Sequence, residues 1–384
     1  MSTAVAPAPA PSIAIISPVK DFLFFYLSAG VVLLAWFASS VMKVEGWTIL
    51  TVVAVASNGP HLVSTWTRVY FDPREWKSRK ISTVVVPFCI FLTIFLFTWK
   101  VDIGPRVINS TILYWATWHF VAQNWGILRI YQRKSGEKID SLAVQLEKPL
   151  LLLIVLFCLS HRLYTGPRIL FGVEVLYPPL PRALVLGILA PIAVVLGTLL
   201  FIRIRDRKLP HAKAAWVRLL FIGMSFLGFF VPFQLITSDD TSAFAAAACW
   251  HGFQYLGMVR HYNRNAWRKG VDSNARIISW LSQPGWLRAF LYWCLLMALA
   301  GTVYVTAGFF ALLTSGRLPI GEFPTMRVVT FLPPWDFFTW AGIIWVSATL
   351  SHYWIDGVIW KLRRPELAQR VGISDQAAIS SNPI

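Results

Sequence analysis

Residues 111–133, TILYWATWHFVAQNWGILRIYQR, are long and apolar enough to cross a lipid bilayer, yet they carry His119, Gln123 and Asn124 near the middle and end in Arg129 and Arg133. A hydrocarbon layer of ~30 Å needs ~20 residues of helix, and a charge at its centre costs roughly 2.5 kcal/mol or more on insertion scales. An ionisable side chain at that depth therefore marks a candidate functional site. Three further stretches share the arrangement of apolar run, single histidine and basic end: HLVSTWTR from His61, HGFQYLGMVR from His251 and HYWIDGVIWKLRR from His352.

Composition places these stretches in a membrane. Of the 384 residues 56% are hydrophobic and only 14% charged, and the mean hydropathy of +0.59 excludes an ordinary soluble domain. The net charge of +17 raises the question of nucleic acid. The basic residues, however, fall in short runs between apolar segments, which is the pattern of cytoplasmic loops, so no nucleic-acid partner is expected. Cys89, Cys158, Cys249 and Cys294 lie singly inside apolar runs and read as small core residues, not as a disulfide framework or a zinc site.

Apolar stretches recur at about 22–42, 47–69, 81–99, 109–130, 149–163, 183–202, 216–235, 244–260, 287–313 and 337–360. The predicted fold is all-α, a polytopic transmembrane bundle of about ten helices, because a chain in lipid must satisfy its backbone polar groups internally. Most of the 35 Lys and Arg fall in alternate connections, which places both the N- and C-termini in the cytoplasm and the protein in the cytoplasmic (inner or plasma) membrane. Three regions follow: a disordered Ala/Pro-rich tail over 1–18, a transmembrane helical domain over 19–365 and a cytoplasmic tail over 366–384. The acidic turn at 238–240 is expected outside. The connections 161–182 and 315–336, with YPPLP, LPIGEFP and FLPPW, are expected to fold over the membrane surface.

In this topology helices 2, 4, 8 and 10 run in one direction and each carries one histidine. The first basic residues beyond them, Arg68, Arg129, Arg260 and Lys361, mark the cytoplasmic rim. At ~1.5 Å per residue all four imidazoles lie roughly 10–15 Å from that rim. Neutral imidazoles in apolar surroundings need partners; interhelical hydrogen bonds serve one, and a shared metal serves four. His61, His119, His251 and His352 are thus the candidate metal ligands. One helical turn further stand Thr65, Gln123, Gln254 and Asp356, on the same faces. Asp356 and Gln123 are the candidates to orient imidazoles or handle protons. Imidazoles without thiolates suit iron, copper, zinc or nickel, and scarce water favours oxygen chemistry over hydrolysis. Iron (Fe2+), single or paired, with O2 as co-substrate, is the expected cofactor; haem held by two of the histidines is the alternative. Asn58-Gly59-Pro60 is expected to kink helix 2 and open room beside His61, and Trp115, Trp118, Phe120, Trp125, Trp250, Phe253, Tyr255, Tyr353 and Trp354 to line a slot for a long chain.

GPHLVST at 59–65, HFVAQN at 119–124, HGFQYLGMVRH at 251–261 and HYWID at 352–356 together resemble the Brp/Blh-like family of membrane carotenoid dioxygenases. The resemblance implies histidine-held iron and oxidative cleavage of β-carotene. Where that family has acidic residues after its first two histidines, this chain has Thr65 and Gln123 or Asn124, and its His251 and His261 stand ten apart. The expected function is a membrane-embedded, iron-dependent oxygenase or oxidase acting on a carotenoid or other lipophilic substrate, with an electron-donor protein as partner. A proton-coupled transporter and a b-haem quinone oxidoreductase are the alternatives.

Overall fold

The computed structural model describes residues 13–166, 168–236 and 240–373. Among them the chain is helical, apart from loops and two small antiparallel hairpins. The long helices are α1 (Pro18–Val41), α2 (46–69), α3 (Ile81–Lys100), α4 (Gly104–Ser135), α5 (Leu142–Thr165), α6 (Arg182–Arg205), α7 (Ala212–Leu235), α8 (Asp240–Ala266), α9 (Trp286–Ser315) and α10 (Phe337–Ile359). Six of them, α1, α3, α5, α6, α7 and α9, are long and apolar enough to cross a membrane. The protein is an integral membrane protein.

The four helices outside that apolar set are α2, α4, α8 and α10, which carry the four histidines. Their polar residues are accommodated by position. α2 and α4 each pack against both α8 and α10, and the apolar helices lie around this quartet, with α1 and α7 on α8, α3 and α9 flanking α10, α5 on α4 and α7, and α6 outside α5. α8 is the most enclosed: residues 241–252 are buried without a break. Its alanines at 243 and 245–248 let α1 and α2 approach closely, since small residues are what bring helix backbones together in lipid.

α2 does not bend at a simple proline kink. Ala54–Asn58 form a π turn, and Pro60 enters at the first turn of the segment that follows, where its missing N–H is harmless. A Cβ on Gly59 would lie 2.6 Å from the Ala54 carbonyl oxygen and 3.2 Å from Ala300 Cβ, so glycine is required. No room opens beside His61, which is buried.

The gap expected between the apolar stretches 109–130 and 149–163 contracts to a connection over 136–141, because α4 runs on to Ser135 and α5 starts at Leu142. Glu137 and Glu147 are buried in ion pairs, while Lys138, Asp140 and Lys148 stay exposed. Arg203 donates to Glu137 (2.7 Å) and Glu147 (2.9 Å), and Arg218 donates to Glu147 (2.9 Å) and to the other Glu137 oxygen. Two carboxylates and two guanidinium groups thereby neutralise one another and tie α4, α5, α6 and α7 together at one end.

Of the expected N-terminal tail, 1–12 lie outside the described residues; from Ile13 the chain is docked. Asp21 accepts from the Ile15 and Ile16 amides (2.7 and 2.8 Å) and from the Tyr131 hydroxyl (2.7 Å), and Ile15 is buried. Of the C-terminal tail, 374–384 lie outside the described residues, while the short helix Pro365–Arg370 is anchored by Leu367, Ala368 and Val371. Ser238 and Asp239 of the acidic turn also lie outside them. The two aromatic connections hold the hairpins β1–β2 (Ile169–Leu170, Val173–Glu174) and β3–β4 (Arg317–Leu318, Gly321–Glu322). Cys158 and Cys249 are buried as expected; Cys89 is exposed on α3 and Cys294 half-buried, and all four are free.

Candidate metal centre

His61, His119, His251 and His352 meet. Each offers one ring nitrogen to a cluster in which these atoms all lie within 4.8 Å of one another, and all four side chains are buried. The His61 ring stands edge-on to His251 and His352, with centroids 4.8 and 4.4 Å away. His119 stacks on Tyr353 at 4.5 Å, and Phe120 closes over His251 at 4.3 Å.

The polar turn beyond them fixes helix direction. Thr65, Tyr255 and Asp356 each follow their histidine by four residues. Thr65 Oγ1 donates to Asp356 Oδ1 (3.1 Å), and Tyr255 donates to the same oxygen (2.6 Å) while lying 2.6 Å from Thr65 Oγ1. Equal offsets meet only if α2, α8 and α10 run parallel at one depth. Three residues further, Arg68 Nη2 donates to the Ile359 carbonyl oxygen (2.9 Å), in the same register.

Hydrogen bonding selects a tautomer. Thr65 has one proton, and with that proton on Asp356 its oxygen accepts Nδ1–H of His352 at 2.8 Å. Nε2 of His352 is then left with its lone pair. Among the described residues that atom has no partner, nor do Nε2 of His119, Nδ1 of His61, either ring nitrogen of His251, or Oδ2 of Asp356. Each orphaned buried group costs about 1–3 kcal/mol. Such a concentration at one point is poor packing, and it is a good donor set: imidazoles with a carboxylate beside them suit a first-row transition metal. Donors held ~2.1 Å from one ion stand at most ~4.2 Å apart, so the widest separation of 4.8 Å needs a closure of about half an ångström.

Asp356 sits where it was expected to matter. Its Oδ2 lies 3.7 Å from His352 Nε2 and 3.9 Å from His119 Nε2, beyond hydrogen-bond distance and within reach of anything the two nitrogens hold. Among the described residues Gln123 makes no hydrogen bond to an imidazole, and its Oε1 is buried without a partner. Its Nε2 donates to the His251 carbonyl oxygen (3.1 Å) and to Gln254 Oε1 (3.2 Å), so it braces α4 against the α8 backbone. Gln254 and Asn124 continue that brace to Ser225 on α7.

Two contributions escaped the sequence reading. Tyr255 was visible only as an aromatic, although its i+4 spacing from His251 put it on the site face; it is the donor that holds Asp356. Trp360 in turn donates to the Tyr255 hydroxyl (3.1 Å). Arg68 and Arg129, read as markers of the membrane rim, are both buried, Arg68 at 2% exposure. The Arg68 guanidinium lies between the Tyr262 and Trp360 rings, 4.1 and 3.9 Å from their centroids.

A cavity of about 500 Å³ lies between α4, α8 and α10 and reaches His119, Tyr255 and Asp356. Trp115, Trp118, Tyr353 and Trp354 line it as expected. Phe120, Trp125, Trp250 and Phe253 do not; Phe120 packs on His251, Trp250 on Phe229 and Phe253 against the cluster of Ile49 and Val53. Comparison of the chain with protein-family models, curated proteins and solved structures gave no match.

Proposed function

We propose that the four histidines hold a redox-active transition metal, iron by the chemistry of the donors, and that the protein is a membrane oxidoreductase acting on a lipophilic substrate. The observation that carries this is the convergence of four buried imidazoles whose facing nitrogens have no protein partner. Packing histidines would have found carbonyls or hydroxyls instead. Held this way, the metal would supply redox chemistry with O2 in a site almost free of water.

The chain's own residues do the rest. Thr65 keeps the His352 lone pair directed inward, Tyr255 and Thr65 hold Asp356 by one oxygen, and the other oxygen is left to ligate or to take up a proton beside the histidines. Arg68 donates to the Ile359 carbonyl oxygen and lies over the Trp360 ring, whose Nε1–H in turn donates to the Tyr255 hydroxyl that holds Asp356. The cavity admits an apolar chain to His119. The Brp/Blh-like resemblance supports the same reading. We place the basic end of the bundle, with both termini, in the cytoplasm.

Metal analysis of the purified protein tests this directly. About one equivalent of a transition metal is expected, falling below half in His352→Ala and His251→Ala; a protein free of metal, or one whose metal content ignores these changes, removes the reading.

A further inference from the structure

The cavity is a partly open slot. Between α4 and α10 its rim carries Trp118 (53% exposed) and Trp354 (38% exposed), and the helices packed beside these two, α3 on α4 and α3 and α9 on α10, are long and apolar enough to cross a membrane. Below the tryptophans the gap persists because the facing residues are small. A Cβ added at Gly126 on α4 or at Gly357 on α10 would meet nothing within 4 Å. Its ionisable groups fall at two levels: His119, Tyr255 and Asp356, with Tyr353 and the Gln123 amide beside them, form one, and Lys361, at the basic end, forms the other. The Lys361 ammonium is exposed and makes no ion pair among the described residues.

We propose that this slot is a lateral doorway and binding groove for a single-chain lipid with an anionic head, drawn from the leaflet at the basic end of the bundle; this rests on the reading of the histidine centre as catalytic. The head would bind Lys361. Lys361 follows Asp356 by five residues and His352 by nine, which at ~1.5 Å per residue sets the centre ~8–14 Å from the head. The reacting carbon is therefore in the middle of the chain and not at the head. The slot continues past His119 to Trp115, a further turn of ~6 Å, which leaves room for the distal end. A volume of about 500 Å³ with one cationic mouth suits one chain and one charge.

The test uses the full-length protein in phosphatidylcholine nanodiscs, irradiated with a palmitate analogue bearing a mid-chain diazirine. Saturable adducts on residues 115–130 and 353–362, displaced by palmitate, are expected. Gly126→Leu and Gly357→Leu should each cut that labelling about tenfold by filling open space, with thermal stability and metal content unchanged. Lys361→Gln should weaken displacement by palmitate about tenfold and leave displacement by hexadecanol as it was, because only the acid carries a charge for the ammonium to pair with. Labelling that never saturates, or that ignores both leucines, overturns the doorway. Palmitate displacement that ignores Lys361→Gln overturns the acid head. A metal-free protein that still labels saturably keeps the doorway and loses the histidine centre. A fully metallated protein without saturable labelling does the reverse.

Discussion

Thr65 shows how much rests on one hydroxyl. It accepts from His352 Nδ1, donates to Asp356 and lies beside the Tyr255 hydroxyl. Thr65→Val keeps the shape and removes the oxygen, so His352 loses the partner that fixes its tautomer. Losses of this kind typically cost 10–100-fold in metal affinity. That fall, measured by competition with a chromophoric chelator, is expected with circular dichroism unchanged. Tyr255→Phe removes the 2.6 Å donor to Asp356 and should cost about 1.5–3 kcal/mol of stability, read by thermal unfolding in detergent. Asp356 and the four histidines were legible in the sequence because ionisable groups stand out in an apolar run. Thr65 and Tyr255 were not assigned these roles, because helical spacing gives the face a side chain shares and not the partner that another helix, 190 residues away in sequence, brings to it.

Two elements carry strain or charge that local sequence signals only half reveal. In α2 the motif Asn58-Gly59-Pro60 announced a break, and the break is a π turn closed by glycine. Gly59→Ala forces a methyl against the Ala54 carbonyl oxygen and Ala300, and should destabilise by about 1–3 kcal/mol in the same unfolding assay. The α4–α5 connection is shorter than the gap between the apolar stretches because the polar residues beyond 130 and before 149 are helical, and Glu147 can be buried there only with Arg203 and Arg218, on helices still to come. Burial works to raise the Glu137 carboxyl, but Arg218 foremost, with Arg203, outweighs it and holds Glu137 below its ordinary value of 4.5. A lowered folded value means that the stabilisation is fully present above the unfolded value and is lost as pH falls through the folded one. The wild-type thermal midpoint should therefore stay level towards acid until below the usual glutamate range and then drop. Glu137→Gln should lower the midpoint at neutral pH and remove that part of the acid drop.

At the scale of the molecule, hydropathy and the membrane agree on the six apolar helices, so the protein should stay in the membrane pellet after alkaline carbonate extraction. The proposed orientation predicts that a fluorescent protein fused to the C-terminus is bright and an alkaline phosphatase fused there is inactive. Composition located the long helices because burial in lipid writes itself into an apolar run. It could not say which four helices lie inside, and here the signal was inverse: the inner helices, all read as spans from sequence, are the four that fall outside the apolar set of six. That inversion bears on synthesis. α2 emerges early, with a histidine, a buried arginine and a glycine-proline break, while its partner Asp356 lies 291 residues further along. At ~5–20 residues per second, roughly 15–60 s pass before α10 exists to receive it. For that interval α2 lacks the helices it packs on in the folded protein, α8, α9 and α10, so its polar face has to be held at the insertion machinery until they are made.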